Sequence, residues 1–573
     1  MIARLLICAL ALAPLTATAG IKVQVEGISG DEKTNVMERL AIADAAARKD
    51  LDQALVERLH AQADDDIRKA LQVYGWYEPQ IKAELSGEAP DWTARYTVSL
   101  GAPVLVDHVE ILLTGEGAEF PQLVAASQHP LVHEGRQLEH RQYEDTKARL
   151  VQRALASGFL DAQFTRAQLL VTPAEHRAEV LLTLDTGPRY YFGSFTVEQE
   201  GLQPELVERY VRITPGGPYD PQQVLDTQFA LADLDYFQSV QIIPQRDRMF
   251  ENHIPILIKT TPRPLHHYET GAGYGTDTGA RITEGVEFRR LNRYGHKLRL
   301  NARVSQIKDV LGAEYRIPLG SKSSESMSFT AESTREKFDD GRTLQYGVGA
   351  SLNRTPGRWQ RRVYLQYDHE ESTLPLQEIT ADLVMPGVSF NRGETDDPIH
   401  TRRGWNLFLD AHGADKDVLS TATFLQLHGT LRAAYPLTHR LRLYGRGELG
   451  ATFASQFSEL PISQRFYAGG DQSVRGYAYR SLGPRDALGN VVGGRYLTVG
   501  SIEADYRIVG NWGAALFADA GGVQNNPWPS LSRGVGFGAR YRAPVGDIDV
   551  DIAWPLDGDT RSPRLHLGIR VGL

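Results

Sequence analysis

The stretch DQSVRGY (471–477) sets one arginine, Arg475, between Val474 and Gly476, inside the Gly- and aromatic-rich run RFYAGGDQSVRGYAYRSLGP (465–484). A guanidinium is a planar fork of donors, better suited than an ammonium to a shielded ion pair with several contacts. Gly476 permits a backbone turn. Asp547, Asp549 and Asp551 alternate with Ile548, Val550 and Ile552. They lack the Gly and Glu of a calcium loop, and a period of two puts them on one face of a strand. His266 and His267 have no spaced partner and read as rim residues. Asp64 to Asp66 read as favourable charge at a helix N-terminus. Arg361 and Arg362 read as flanking charge at a strand end, with contact to lipopolysaccharide as the alternative. The chain has no G-x-S-x-G elbow, no H-E-x-x-H and no G-x-x-x-x-G-K-[ST]. The expectation is a protein that is not an enzyme, with no catalytic residue, no metal and no cofactor.

These residues sit in a chain of 573 residues, too long for one hydrophobic core. Acidic residues (71) slightly outnumber basic ones (62), which disfavours a nucleic-acid partner. The opening MIARLLICALALAPLTATAG reads as a secretory signal over 1–19, with Arg4 as the positive region and Ala17-Thr18-Ala19 as the cleavage site. Cys8 is the sole cysteine, so a processed chain would have no disulfide and no thiol nucleophile.

From residue 20 to about 264, helical and strand patterns alternate and repeat. IRKALQVYGWYEPQI (67–81), RLVQRALASGFLDAQF (149–164) and FALADLDYFQSVQI (229–242) each read as an amphipathic helix, a Gly or Asp, two bulky residues and a strand. Gly75, Gly158 and Asp235 punctuate units of about 80 residues, each large enough for a small α+β domain. Such residues fit a helix that ends in a left-handed turn. The aromatics that follow, Trp76, Tyr77, Phe159, Tyr236 and Phe237, should pack back on the helix.

Beyond residue 265 the helical pattern stops. LRLYGRGELGA (441–451), RRVYLQYDHE (361–370) and GDIDVDIAW (546–554) alternate with period two, and turn-rich segments separate strands of about 10 residues. In lipid only a closed barrel satisfies every strand edge. At roughly 19 residues per strand and loop, this region predicts a transmembrane antiparallel β-barrel of about 16 strands.

The N-terminal units resemble POTRA domains, with a β-α-α-β-β plan. The barrel segments resemble the outer-membrane assembly and secretion superfamily that includes BamA, TamA and the two-partner secretion transporters. The residues carrying this are VRGY (474–477), GSIEADYRI (500–508), ALFADAGGV (515–523), RGVGFGARYRAPVGDIDVDIAWPL (533–556), GAGYGTDTGARI (271–282) and LNRYGHKLRL (291–300). The resemblance implies POTRA domains at 20–103, 104–189 and 190–264 and an outer-membrane barrel at 265–573. It also implies that the loop with Val474, Arg475, Gly476 and Tyr477 folds into the lumen, where Arg475 pairs with Glu503 and Asp519.

Three POTRA units resemble the TamA branch, which tolerates a terminal Leu such as Leu573 where most outer-membrane barrels end in Phe or Trp. The implied function is insertion or translocation of β-barrel proteins such as autotransporters at a weak seam between the first strand (about 267–275) and the last (565–573). Gly271, Gly273, Gly568, Gly572 and Leu573 mark that seam, and glycine in a strand weakens it. The implied partners are a TamB-like protein anchored in the inner membrane, met by the first POTRA domain, outer-membrane protein substrates and outer-membrane lipid. The resemblance leaves open a transporter for one exoprotein and a BamA-like general assembly role.

Overall fold

The computed structural model describes residues 20–45, 52–88, 91–275, 279–338, 341–558 and 562–573. The expected signal segment 1–19, Cys8 included, lies outside the described residues. By contacts the chain divides into two compact units. Of the described residues, one comprises those up to 196 with 213–225 and 243–257, and the other those of 197–212, 226–242 and from 258 onward.

The N-terminal region holds three three-stranded sheets, and in each the strand last in sequence lies at the centre. In the first domain Gly20–Glu26 runs parallel to Asp91–Ser99, which pairs antiparallel with Gln80–Glu88. The second domain repeats this with Leu105–Thr114, Arg177–Asp185 and Gln163–Thr172. Helices Gly30–Arg39 and Gln53–Gln72 cover the first sheet through Val36, Val56, Ile67 and Leu71, all fully buried. Pro121–Gln128 and His140–Ala156 cover the second through Leu123 and Leu150.

The three punctuating residues are all left-handed, with φ of 86° at Gly75, 94° at Gly158 and 61° at Asp235. Each turn marks a junction. The Gly75 carbonyl accepts from Val104 N at 2.9 Å, and the Gly158 carbonyl accepts from Tyr190 N at 2.7 Å. A Cβ on Gly75 would lie 2.4 Å from the Leu138 carbonyl oxygen, so the close approach also excludes a side chain. The aromatics divide their work, contrary to the expectation that all would pack back. Trp76 does join the first core, but Tyr77 reaches forward into the second. Tyr236 donates to the carbonyl of Gly295 in the turn between the second and third barrel strands. Asp64, Asp65 and Asp66 also depart from expectation, because the helix begins at Gln53 and they lie in its middle. Asp64 pairs with Arg68 at 2.7 Å, while buried Asp66 accepts from Ala41 N at 3.1 Å.

The C-terminal region is a sixteen-stranded antiparallel sheet whose strands follow chain order from His266–Gly275 to Arg564–Arg570. Side chains alternate as the sequence predicts. Val363 and Leu365 are exposed on the outer face, whereas Asp368, Glu370 and Ser372 are buried on the inner one. No ladder among the described residues joins the last strand back to the first. Strand length varies around the wall, from 19 residues in Gln377–Thr395 to seven in the last strand. Among the described residues no helix is long and apolar enough to cross a membrane.

Candidate lumen site and seam

The connection between strands Leu441–Ala454 and Tyr496–Val509 is the longest in the barrel. It runs inside the wall, which its buried residues Leu460, Ile462, Ala468 and Val474 record. Val474 packs with Leu497, Val499 and Val523. Next to it the loop backbone lies directly on strand backbone. Gly476, at φ 95°, has Pro555 N 2.9 Å from where a Cβ would stand, and a Cβ on Gly534 would be 2.1 Å from the Arg475 carbonyl oxygen. These glycines exist for close approach.

That contact delivers Arg475 into a ring of carboxylates. Its Nε and Nη2 donate to the two oxygens of Asp519 at 2.8 and 2.9 Å. Nη1 donates to Glu503 at 2.7 Å and to Asp551 at 2.9 Å. Ser501 Oγ donates to Asp519 at 2.6 Å. The guanidinium lies over the Phe517 ring, 3.4 Å from its centroid. Glu503, Asp519 and Asp551 are at most 4% exposed. In so dry a setting a carboxylate without its cation is costly, and the full set of partners is what makes the arrangement tolerable.

The structure thus brings Arg475, Glu503 and Asp519 together. Tyr477 Oη reaches the carbonyl of Asp557 at 3.0 Å, across the top of the adjoining wall. Farther along, Arg480 and Tyr479 meet buried Glu336 at 3.2 and 3.1 Å, on strand Ser326–Phe338. The loop is therefore pinned to two different walls and spans the lumen.

Several participants carry no signature in the sequence. Arg540 pairs with Glu503 at 3.1 Å and Asp549 at 3.3 Å, and Arg570 with the same two at 2.8 and 3.0 Å. His566 Nε2 accepts from Gly476 N at 3.0 Å, while its Nδ1 meets Asp471. His566 and Arg570 both lie on the last strand, so the loop and its acid ring hold that strand from inside. The period-two acid run was the one available signal, and it placed Asp547 and Asp551 on the lumen wall without showing that Asp551 meets Arg475.

The seam glycines differ from one another. Gly271 and Gly273 pair with Thr283 and Arg281, and Gly568 pairs with Asp549. Gly572 and Leu573 lie past the last strand, which ends at Arg570. Gly572 is left-handed at φ 61° and so does not loosen a strand interior. Arg361 and Arg362 stand at the end of the barrel where the first strand begins, since strand Gln360–Leu374 runs in the same sense as His266–Gly275.

Residues 291–569 match the family model of the Omp85 superfamily domain, residues 22–100 that of POTRA domain TamA domain 1, and residues 190–261 that of POTRA, surface antigen variable number repeat. The outer membrane protein assembly factor BamA of Nitratidesulfovibrio vulgaris is 25% identical over 69% of this chain and 52% of its own length. The corresponding factor of Neisseria meningitidis is 23% identical over 68% and 53%. The chain thus spans about half the length of these curated relatives. The crystal structure of BamA from Haemophilus ducreyi lacking POTRA domains 1–3 shares the fold, with a TM-score of 0.67, 15% identity and coverage of 81% of this chain and 98% of that one. Residues 291–569 thus carry an Omp85 superfamily domain, in a barrel of the Gram-negative outer membrane with its POTRA domains in the periplasm.

Proposed function

We propose that this protein assembles β-barrel proteins in the outer membrane by offering its seam to their strands. The observation that carries the reading is the last strand, Arg564–Arg570, which pairs with its neighbour on one side and, among the described residues, has no ladder to the first strand on the other. An edge strand offers unpaired N–H and C=O groups to an incoming strand. Its length adds to this. Seven residues reach about 23 Å, where a crossing strand needs about 9–11 residues. A bilayer thins beside so short a wall, which lowers the cost of bringing polar backbone into it.

The finer reading is a TamA-like subunit that serves autotransporter-type substrates. In it the first POTRA domain meets a TamB-like protein anchored in the inner membrane, and lipid delivery through that partner is a linked role. The match of residues 22–100 to the TamA first-domain model supports it. A BamA-like general assembly role is the second reading, supported by the names of both curated relatives. The deciding experiment is crosslinking of the full chain in its native envelope, followed by purification and identification of what is retained. One large inner-membrane-anchored protein supports the TamA-like reading, and a set of lipoproteins supports the BamA-like one. A single secreted exoprotein overturns both in favour of a transporter.

A further inference from the structure

The turn DDPIHTRR (396–403), between strands Gln377–Thr395 and Gly404–Ala414, lies at the periplasmic end of the barrel. Two aspartates make it stiff. Asp397 accepts from Ile399 N and His400 N, both at 2.8 Å, and Asp396 accepts from Arg402 N and Arg403 N at 2.9 and 3.0 Å. Thr401 Oγ1 closes the turn by donating to the Asp397 carbonyl at 2.6 Å.

This stiff turn does not point into the periplasm. It crosses to strands that follow it by several places in the barrel. The Thr401 carbonyl accepts from Arg442 Nη1 at 2.6 Å, and His400 Nδ1 lies 2.9 Å from Asp547. Thr401, Arg442 and Asp547 are all buried. The Ile399 carbonyl accepts from Gly572 N at 2.9 Å, just past the last strand. A Cβ on Gly572 would lie 2.4 Å from the Pro398 carbonyl oxygen, so the left-handed glycine is what lets the chain end dock there.

We propose that the turn 396–403 is a latch for the periplasmic end of the last strand and sets how far the seam opens. The last strand lacks a ladder on its seam side, so its position rests on its one paired neighbour and on lumen contacts. Toward the outer end these are His566 to Asp471 and Gly476 N; toward the periplasmic end they are Arg570 to Glu503 and Asp549, and Gly572 to the turn. The turn contact is a neutral hydrogen bond beyond the last ladder pair, Asp547 with Arg570, so it is the weakest of the three. It can release without disturbing the buried charge ring. The inference rests on the seam reading above, and it concerns the width of the seam and not the identity of the cargo.

The test is a distance measurement on the full chain refolded in detergent. Nitroxide labels go on cysteines replacing Tyr268 in the first strand and Ile569 in the last, both outward and exposed. Two variants break the latch from opposite sides: Gly572→Ala puts a clash against Pro398, and Asp397→Ala unties the turn while leaving the last strand unchanged. Both should lengthen the mean distance and widen its distribution, with the barrel still folded by its heat-dependent mobility on a gel. Deletion of Gly572 and Leu573 removes the donor outright and replaces any variant that does not refold. A distribution unchanged from the parent in folded variants overturns the latch. Because no substrate is present, that failure is separate from any failure of the assembly reading, which only an insertion assay registers.

Discussion

Arg475 holds Asp519 by three bonds: two side-chain donors to separate oxygens, at 2.8 and 2.9 Å, and the Arg475 backbone N–H at 3.0 Å. Main chain and side chain of one residue grip the same carboxylate, so the position of the loop and the neutralisation of the ring are one event. Arg475→Ala leaves Glu503, Asp519 and Asp551 short of a cation. Breaking a buried pair from one side costs about 3–5 kcal/mol. The variant should insert substrate poorly and lose thermal stability in detergent. Arg475→Lys keeps the charge but not the fork, and should fall between the two.

Gly534→Ala tests the loop without touching any charge. Its new Cβ would meet the Arg475 carbonyl oxygen, which is 2.1 Å away in the present geometry. The loop should lift and become open to limited proteolysis within 465–484, and insertion should drop toward the level of Arg475→Ala. A protected loop with full activity would show that the close contact is dispensable.

Asp235 takes a left-handed conformation that glycine occupies in the two earlier repeats, and it uses the added carboxylate. It binds Arg263 at 2.5 Å and Arg289 at 2.8 Å, the latter at the end of the second barrel strand. Asp235→Gly relieves the backbone but takes the carboxylate partner from largely buried Arg289, leaving its bond to the Pro264 carbonyl. Because Asp235 is partly exposed, a net loss of about 1–3 kcal/mol is expected. Hydrogen exchange around Arg263 and Arg289 should speed up while the barrel stays folded.

The junction between the first two POTRA domains should weaken in acid. His140 Nε2 lies 2.7 Å from Tyr77 Oη, and burial holds the imidazole below its ordinary pKa of 6.5, with Glu144 opposing in part. A histidine lowered by folding prefers to be neutral in the folded state. Its contribution is therefore intact above pH 6.5 and is lost as the pH falls from there through the depressed value. Thermal unfolding of the full chain, followed through the POTRA transition between about pH 8 and 5, should show that loss, and His140→Gln should flatten it.

Much of this was legible in the sequence for local reasons. Gly75, Gly158 and Asp235 announce left-handed turns because few residues tolerate them, and period two in 546–554 announces a strand with Asp547 and Asp551 inward. Arg475, Glu503 and Asp519 came from a family pattern, and the structure supplies their distances. What stayed hidden depends on pairings across the lumen. Asp551 and Arg475 are 76 positions apart, and His566 and Gly476 are 90 apart, so no local spacing links them. Asp64 to Asp66 misled because the run looks like a helix start, whereas i,i+4 partners and a buried contact to Ala41 N explain it in mid-helix. Gly572 misled because a glycine near a strand end reads as weakness until its docking partner is seen.

The most direct test of the account is to close the seam. A cysteine on the first strand, His266–Gly275, and one on the last, Arg564–Arg570, chosen by scanning for pairs that oxidise, would tie the two edges in the full chain. Insertion of an unfolded β-barrel substrate into proteoliposomes is then followed with and without reductant. Assembly at the seam predicts that insertion is lost under oxidation and restored by reduction, with single-cysteine controls unaffected. Full insertion through a quantitatively closed seam would contradict it.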